Sequence, residues 1–264
     1  MKKSRLTVVP FDVRLMNTLA TGLLALSLLM LLGYAAAWLA RLPLFGIRGV
    51  VVSGDVSHYN AITLRANVIP RLEGTFFTVD LDQARSVFES MPWVRRATVS
   101  RDFPNRLRVR LQEHQAVAYW GDDGDAYMVN SYGEVFEANP GELERESLPR
   151  LQGPRGRSAE VLRMFAALNP RFEPLDLSID ELRLSARGGW TAQLDSGTDL
   201  KLGSGAADEL LARVDRFLST VTQVTQRYQR TPEQLASVDL RHLDGYAIRM
   251  EGVGTMRPDE MKKR

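Results

Sequence analysis

The sequence predicts an α+β protein: a single N-terminal transmembrane helix, a small β-α-α-β-β unit, then a β-rich C-terminal domain with two helices. Three patterns lead there. Leu15 to Ala40 holds no charged residue. Residues 45–115 mix period-two and helix-period apolar spacing. Residues 116–256 carry short β-branched and aromatic runs punctuated by Gly, Asp and Pro, interrupted twice by amphipathic helical stretches.

With 264 residues, 44% hydrophobic and 25% charged, the chain can bury the core of one large domain or two small ones, and collagen-like, disordered and coiled-coil classes drop out. It has no cysteine, which removes disulfides, thiolate metal sites and a cysteine nucleophile. The three histidines, His58, His114 and His242, stand far apart, and 34 basic against 32 acidic residues make no polycation for nucleic acid.

The uncharged stretch covers 26 residues, where roughly 20 span a bilayer core as a helix whose backbone amides are all paired internally. Tyr34 and Trp38 fall near one end, where amphipathic rings favour the headgroup zone. Lys2, Lys3, Arg5 and Arg14 precede the stretch, and Arg41 and Arg48 follow it. That bias predicts a cytoplasmic N-terminus with residues 41–264 outside. Ala35-Ala36-Ala37 resembles a signal cleavage site, but a signal core runs only about 7–15 apolar residues. The expectation is a retained single-pass anchor.

In the next unit, Phe45 to Gly54 is a β-branched run closed by a Ser-Gly turn, hence a strand. Helical spacing covers about Asn60 to Leu72. A second helix opens at Asp80, an N-cap with Gln83 at capping-box distance, and runs along Leu81, Ala84, Val87, Phe88 and Met91 until Pro92 stops it. Trp93 to Arg101 is a strand, Asp102 to Asn105 a turn. From Arg106 to Glu113, Leu107, Val109 and Leu111 alternate with Arg106, Arg108 and Arg110, so one face is covered and one wet. The arginine face lacks the interleaved aromatics of a nucleic-acid platform; a protein partner or an anionic envelope polymer suits it better.

In the C-terminal domain, Val117–Trp120 and Ala126–Val129 flank a hairpin turn, Val129–Phe136 reads strand, turn, strand, and one short strand lies in the polar stretch 137–157. A helix runs from Ser158, its cap, to about Asn169, with Pro170 as its stop. Strands follow at Leu182–Ala186, Trp190–Leu194 and Asp199–Leu202. Ser204 caps a long helix striped with Leu210, Leu211, Val214, Phe217, Leu218, Val221 and Val224. Ser237–His242 and Tyr246–Met250 form the last two strands, around Asp244-Gly245.

No nucleophile elbow, phosphate loop, paired metal ligands or zinc-protease helix is present. Asp122, Asp123 and Asp125 do not match a twelve-residue calcium loop. Glu113-His114 could do acid–base work, although a lone exposed histidine is more often structural. The expectation is no enzyme and no cofactor or metal. The alternatives are an anchored envelope hydrolase and an extracytoplasmic ligand sensor, the latter hindered by so short a cytoplasmic tail.

Pro92-Trp93-Val94, Ala97, Val99, Arg101, Pro104, Leu107, Val109, Glu113 and Ala116-Val117-Ala118-Tyr119-Trp120 resemble the POTRA domain of the FtsQ/DivIB bacterial cell-division family, as do Val52, Gly54 and Asp55 and the Gly74, Phe76 and Asp80 pattern. Asn130 to Phe136 is similar to that family's D-x-x-G-x-V-F hairpin, with Asn130 in place of the acid. Val238-Asp239-Leu240-Arg241 resembles its final strand motif, with His242 where an aromatic residue is expected. The resemblance implies a cytoplasmic tail over 1–14, an anchor over 15–40, a POTRA domain over 45–115, a C-terminal domain over 116–256 and a flexible tail over 257–264. It also implies a non-enzymatic inner-membrane scaffold, enriched at the division septum, whose C-terminal domain receives the division protein FtsB, itself paired with FtsL.

A last strand at the end of a chain tends to leave one row of backbone groups unpaired, and such a row accepts a partner segment as an added strand. Carried onto this sequence, the receiving segment is Val238 to Met250, with His242, Gly245, Tyr246, Ile248 and Met250 at the contact. Arg241 and Arg187, the latter before the Gly188-Gly189 turn, become cationic contacts for acidic partner side chains. A purely local pairing of Arg241 with Asp239 or Asp244 stays open.

Overall fold

The computed structural model describes residues 11–54, 57, 68–122, 124, 126–139, 148–242 and 245–250. The chain divides between Glu113 and His114 into two units. Helix α1, Phe11–Ala40, is about 45 Å long at 1.5 Å per residue. Its Asp12–Ala40 stretch is long and apolar enough to cross a membrane, and large apolar side chains such as Leu24, Leu29 and Tyr34 stand exposed around it. Leu, Met and Ala lose little rotamer freedom in a helix, and a helix apolar all round has no polar face for water. This helix fits the expected anchor. The first part of the expected tail, residues 1–10, lies outside the described residues.

The rest of the first unit consists of β1 (Gly49–Gly54), α2 (Leu81–Glu89), β2 (Val94–Asp102) and β3 (Arg106–Glu113). They form a three-stranded sheet in the order β1-β3-β2, β1 parallel and β2 antiparallel to β3. On β3, Leu107, Val109 and Leu111 are buried while Arg106, Arg108 and Arg110 are exposed, matching the period-two pattern. Asp80 caps α2, its carboxylate accepting from the N–H groups of Asp82 (2.8 Å) and Gln83 (3.1 Å). Phe88, Val94, Ala97, Val50 and Val68 share one core, and Trp93 is buried. The first strand is shorter than expected because Pro43–Phe45 coils into a 3-10 turn and Gly46 bridges Thr75. Most of the expected helix over Asn60 to Leu72, with Asp55 and His58, lies outside the described residues; at its end Ile69–Arg71 forms a 3-10 turn.

The second unit contains β4 (Ala116–Trp120), β5 (Tyr127–Asn130), β6 (Val135–Glu137), β7 (Arg150–Gln152), α3 (Ser158–Phe172), β8 (Ile179–Leu184), β9 (Trp190–Leu194), β10 (Asp199–Gly203), α4 (Ala207–Gln226), β11 (Leu235–Asp239) and β12 (Ala247–Met250). These nine strands join one sheet in the order β12-β11-β10-β9-β8-β7-β4-β5-β6. β7 and β8, and β10 and β11, are parallel neighbours, each pair bridged by a helix. Crossovers of this kind share one hand, and both helices pack into a single core. There Leu168 and Phe172 of α3 and Val214 and Phe217 of α4 join Leu182, Leu200 and Val238 of the sheet. On β8, β9 and β10 the alternate residues Glu181, Arg183, Thr191, Gln193, Asp199 and Lys201 line a shallow polar hollow.

Three expectations need correction. Ser158 is not the cap of α3. It lies in the first turn, buried, and donates its hydroxyl to Gly133 O at 2.6 Å, tying the β5–β6 hairpin to the helix. Ala159 comes so close that a Cβ on Gly133 would sit 2.6 Å from it, so this turn, at φ +81°, requires glycine. Pro170 does not stop α3, which runs on to Phe172. A proline in the last turn forfeits one backbone bond, offset by burying Leu168 and Phe172. Ser204 does not cap α4, which starts after Ala206 without a side-chain cap; Arg213 instead donates to the carbonyls of Leu202 and Ser204, both at 3.1 Å.

Candidate functional site

β12 is the end strand of the nine-stranded sheet, and among the described residues no strand lies beyond it. It pairs antiparallel with β11, Ala247 opposite Asp239, Ile248 opposite Val238 and Arg249 opposite Ser237. In such a ladder the backbone groups alternate toward and away from the neighbour, so half of β12's N–H and C=O groups face outward.

The side chains hold the strand down. Met250 is buried and Ile248 packs on the same core, while Ala247 and Arg249 are exposed. Tyr246 lies edge-on to Phe217 of α4 at 5.2 Å, and its hydroxyl shares a 2.8 Å hydrogen bond with the Thr220 hydroxyl. Tyr246, Ile248 and Met250 therefore offer a partner their backbone, with their side chains occupied by the fold. Gly245 has open space where a Cβ would sit. Asp244 lies outside the described residues.

Arg241 follows β11 and turns back on it. Its Nε donates to both carboxylate oxygens of Asp239 (2.9 and 3.1 Å), its Nη2 to Oδ2 (2.5 Å), and its backbone N–H to Oδ1 (3.1 Å). The guanidinium holds the Asp239 carboxyl down to about 2, and a charged His242 acts in the same direction. Asp239 in turn raises the Arg241 guanidinium. The stem of Arg241 lies 3.0 Å from the place a Cβ would take on Gly203, whose φ of +86° already favours glycine. The local pairing left open above is thus the one with Asp239, and Arg241 still keeps much of its side chain exposed.

His242 is exposed beside Arg241. Arg187 is exposed on the Ser185–Gly189 turn between β8 and β9. That turn is at the same end of the sheet as Arg241, but β9 is three strand spacings from β12, roughly 15 Å at about 4.8 Å per strand. The structure gathers Arg241, His242, Gly245, Tyr246, Ile248 and Met250 at one edge and sets Arg187 apart.

The acid–base pair Glu113-His114 is drawn into separate packing. Glu113 accepts from Ser57 N at 3.1 Å. His114 stacks on Phe136 with centroids 4.1 Å apart and planes 3° from parallel. Buried Asn130 orders that corner: its Oδ1 accepts from the N–H groups of Tyr132 and Glu134, both at 2.9 Å, which turns Nδ2 toward the Glu134 carboxylate (2.6 Å) and His114 Nδ1 (2.9 Å). An acid here would set a second carboxylate against Glu134, which explains the amide. Sequence pattern missed this network and the Tyr246–Thr220 bond, since Thr220 lies off the apolar stripe of α4 and its partner is 26 residues away. Among the described residues no three His, Asp or Glu side chains gather closely enough to hold a metal ion.

Comparison with known proteins bears on most of the chain. The family description "Cell division protein FtsQ/DivIB, C-terminal" matches residues 118–241, and "POTRA domain, FtsQ-type" matches residues 45–114. Cell division protein FtsQ of Burkholderia pseudomallei is 42% identical over 243 residues, covering 92% of this chain and 94% of the relative. The FtsQ of Thiomonas arsenitoxydans is 39% identical over 248 residues (93% and 90%), and that of Bordetella pertussis 37% over 255 residues (90% and 91%).

Proposed function

This chain belongs to the FtsQ/DivIB family of cell-division proteins and carries an apolar N-terminal helix fit to anchor it in a membrane; from that premise we propose that it is a non-enzymatic scaffold of the division septum. It crosses the bacterial inner membrane once, with its N-terminus in the cytoplasm, and its C-terminal domain takes a segment of FtsB, paired with FtsL, as an added strand along β12. The observation that supports this reading is the outward row of backbone groups on the last strand of the sheet. The excess of Lys and Arg before α1 supports the orientation.

On this reading, main-chain pairing supplies affinity, and Arg241, His242 and, further along the same end, Arg187 select acidic partner side chains. Asp239 holds Arg241 in a set orientation, so less rotamer freedom is lost when a partner carboxylate arrives. The test is retention of an FtsB–FtsL pair by the full chain in detergent, with Arg241→Glu and Gly245→Pro. Each folded variant is expected to lose roughly tenfold or more in affinity. Wild-type retention by both variants would rule out this edge and turn attention to the arginine face of β3.

A further inference from the structure

We propose that the first unit rests on the surface of the bilayer that α1 enters, through an apolar patch of Leu44, Phe77 and Phe103 gathered at the end of that helix. Ala40 is the last residue of α1, two beyond Trp38. Its carbonyl is one of those a helix end leaves without a partner, and it accepts the Thr75 hydroxyl at 2.6 Å. The turn after Thr75 is thereby held against the helix end. Phe76 N donates to Phe45 O at 2.7 Å, and Arg101 donates Nε to Phe76 O and Nη2 to Val79 O, both at 2.8 Å. The turn after β2 is stitched to the same place by Arg48 N donating to Asn105 O at 2.9 Å.

Three separate segments thus meet beside the last turn of α1, and each turns a large apolar side chain outward: Leu44 is 70% exposed, Phe77 50% and Phe103 77%. The rings form one surface. Phe77 meets Phe45 and Phe76 edge-on at 5.2 Å, and Phe103 meets Phe76 at 6.3 Å. Among the described residues of this unit outside α1, the one other exposed large hydrophobic is Val51.

The helix itself identifies what covers the patch. Tyr34 and Trp38 mark the level at which rings favour headgroups, and that zone is roughly 5–8 Å deep on each side of the hydrocarbon. A surface bonded to the carbonyl of Ala40 begins within it. Exposed Arg41 and Arg48, in the segment that carries Leu44, suit lipid phosphates. Aromatic and leucine side chains flanked by basic ones are the composition of a surface seated at the bilayer interface. This lipid contact belongs to the first unit and is independent of strand addition at β12.

The absence of cysteine makes the test clean. Single variants Phe77→Cys and Phe103→Cys of the full chain, labelled with an environment-sensitive fluorophore, are placed in vesicles of phosphatidylethanolamine and phosphatidylglycerol, with Trp38→Cys as the lipid reference and Tyr228→Cys as the water reference. Labels at 77 and 103 are expected to be quenched several-fold more by quencher-bearing lipids, and less by iodide, than the label at 228. A Leu44→Cys label should become iodide-accessible when Phe77→Asp and Phe103→Asp are combined, with circular dichroism unchanged. Iodide quenching at 77 and 103 equal to that at 228 would overturn the proposal. So would shielding that disappears on dilution of the protein in lipid, which would assign the patch to a second copy.

Discussion

The two units meet their surroundings with different parts of the chain. In the first, side chains are left over: a three-stranded sheet with α2 buries Trp93 and Phe88 but leaves Leu44, Phe77 and Phe103 outside. In the second, two helices cover one face of a nine-stranded sheet, and even the last strand turns Ile248 and Met250 inward. Along that strand, what remains over is backbone. Exposed rings associate with any apolar medium, whereas an open strand edge requires a partner of matching direction and register. The contrast separates a surface suited to lipid from one suited to a particular peptide.

The sharpest way to break this comparison is to delete an aromatic ring from each kind of place in the first unit. Trp93→Ala is expected to cost about 3–5 kcal/mol, the range for emptying a buried aromatic site, while Phe77→Ala in detergent should cost less than about 1 kcal/mol. Urea unfolding followed by circular dichroism distinguishes them. Equal losses would mean that Phe77 is core and the patch is not a surface.

A smaller effect is expected at the β5–β6 hairpin. Asn130→Asp places a carboxylate against Glu134 and should cost about 1–2 kcal/mol at neutral pH. Adding Glu134→Gln should restore most of the loss, and the penalty should fade below about pH 4 as carboxylates protonate. A thermal melt series checks all three. If the second change restores nothing, charge repulsion is not the reason for the amide.

The smallest effect concerns the β12 edge. Asp239 titrates near 2 when folded, below its unfolded value near 4. A depressed carboxylate contributes stability that is present above the unfolded value and lost as pH falls toward the folded one. The melting temperatures of wild type and Asp239→Asn should therefore differ modestly above about pH 4 and converge by about pH 2. A gap that widens on acidification would contradict the assigned Arg241 pairing.

Features decided by neighbouring residues were legible in the sequence. The alternation of β3, the Asp80 cap and the apolar stretch of α1 depend on spacing alone, and each stands as expected. Features decided by distant chain were not. Ser158 is drawn to Gly133 O, 25 residues away, by a hairpin landing on α3. Sheet order follows from which strands the two helices bridge, which spacing does not encode. At the candidate site, the last strand was readable from β-branched and aromatic residues. That Tyr246 is spent on Phe217 and Thr220, and Arg187 set three strands inward, depends on packing between elements.

Strand addition at β12 is tested most directly by single-cysteine crosslinking along the strand. In the full chain, Ala247→Cys, Ile248→Cys and Arg249→Cys are each paired with cysteines stepped along the extracytoplasmic end of FtsB. Partner capture should peak at 247 and 249, whose side chains point outward, drop at 248, and shift by matching steps along FtsB as an added strand requires. Capture without that alternation and register, or capture only from positions on the arginine face of β3, would contradict pairing at this edge.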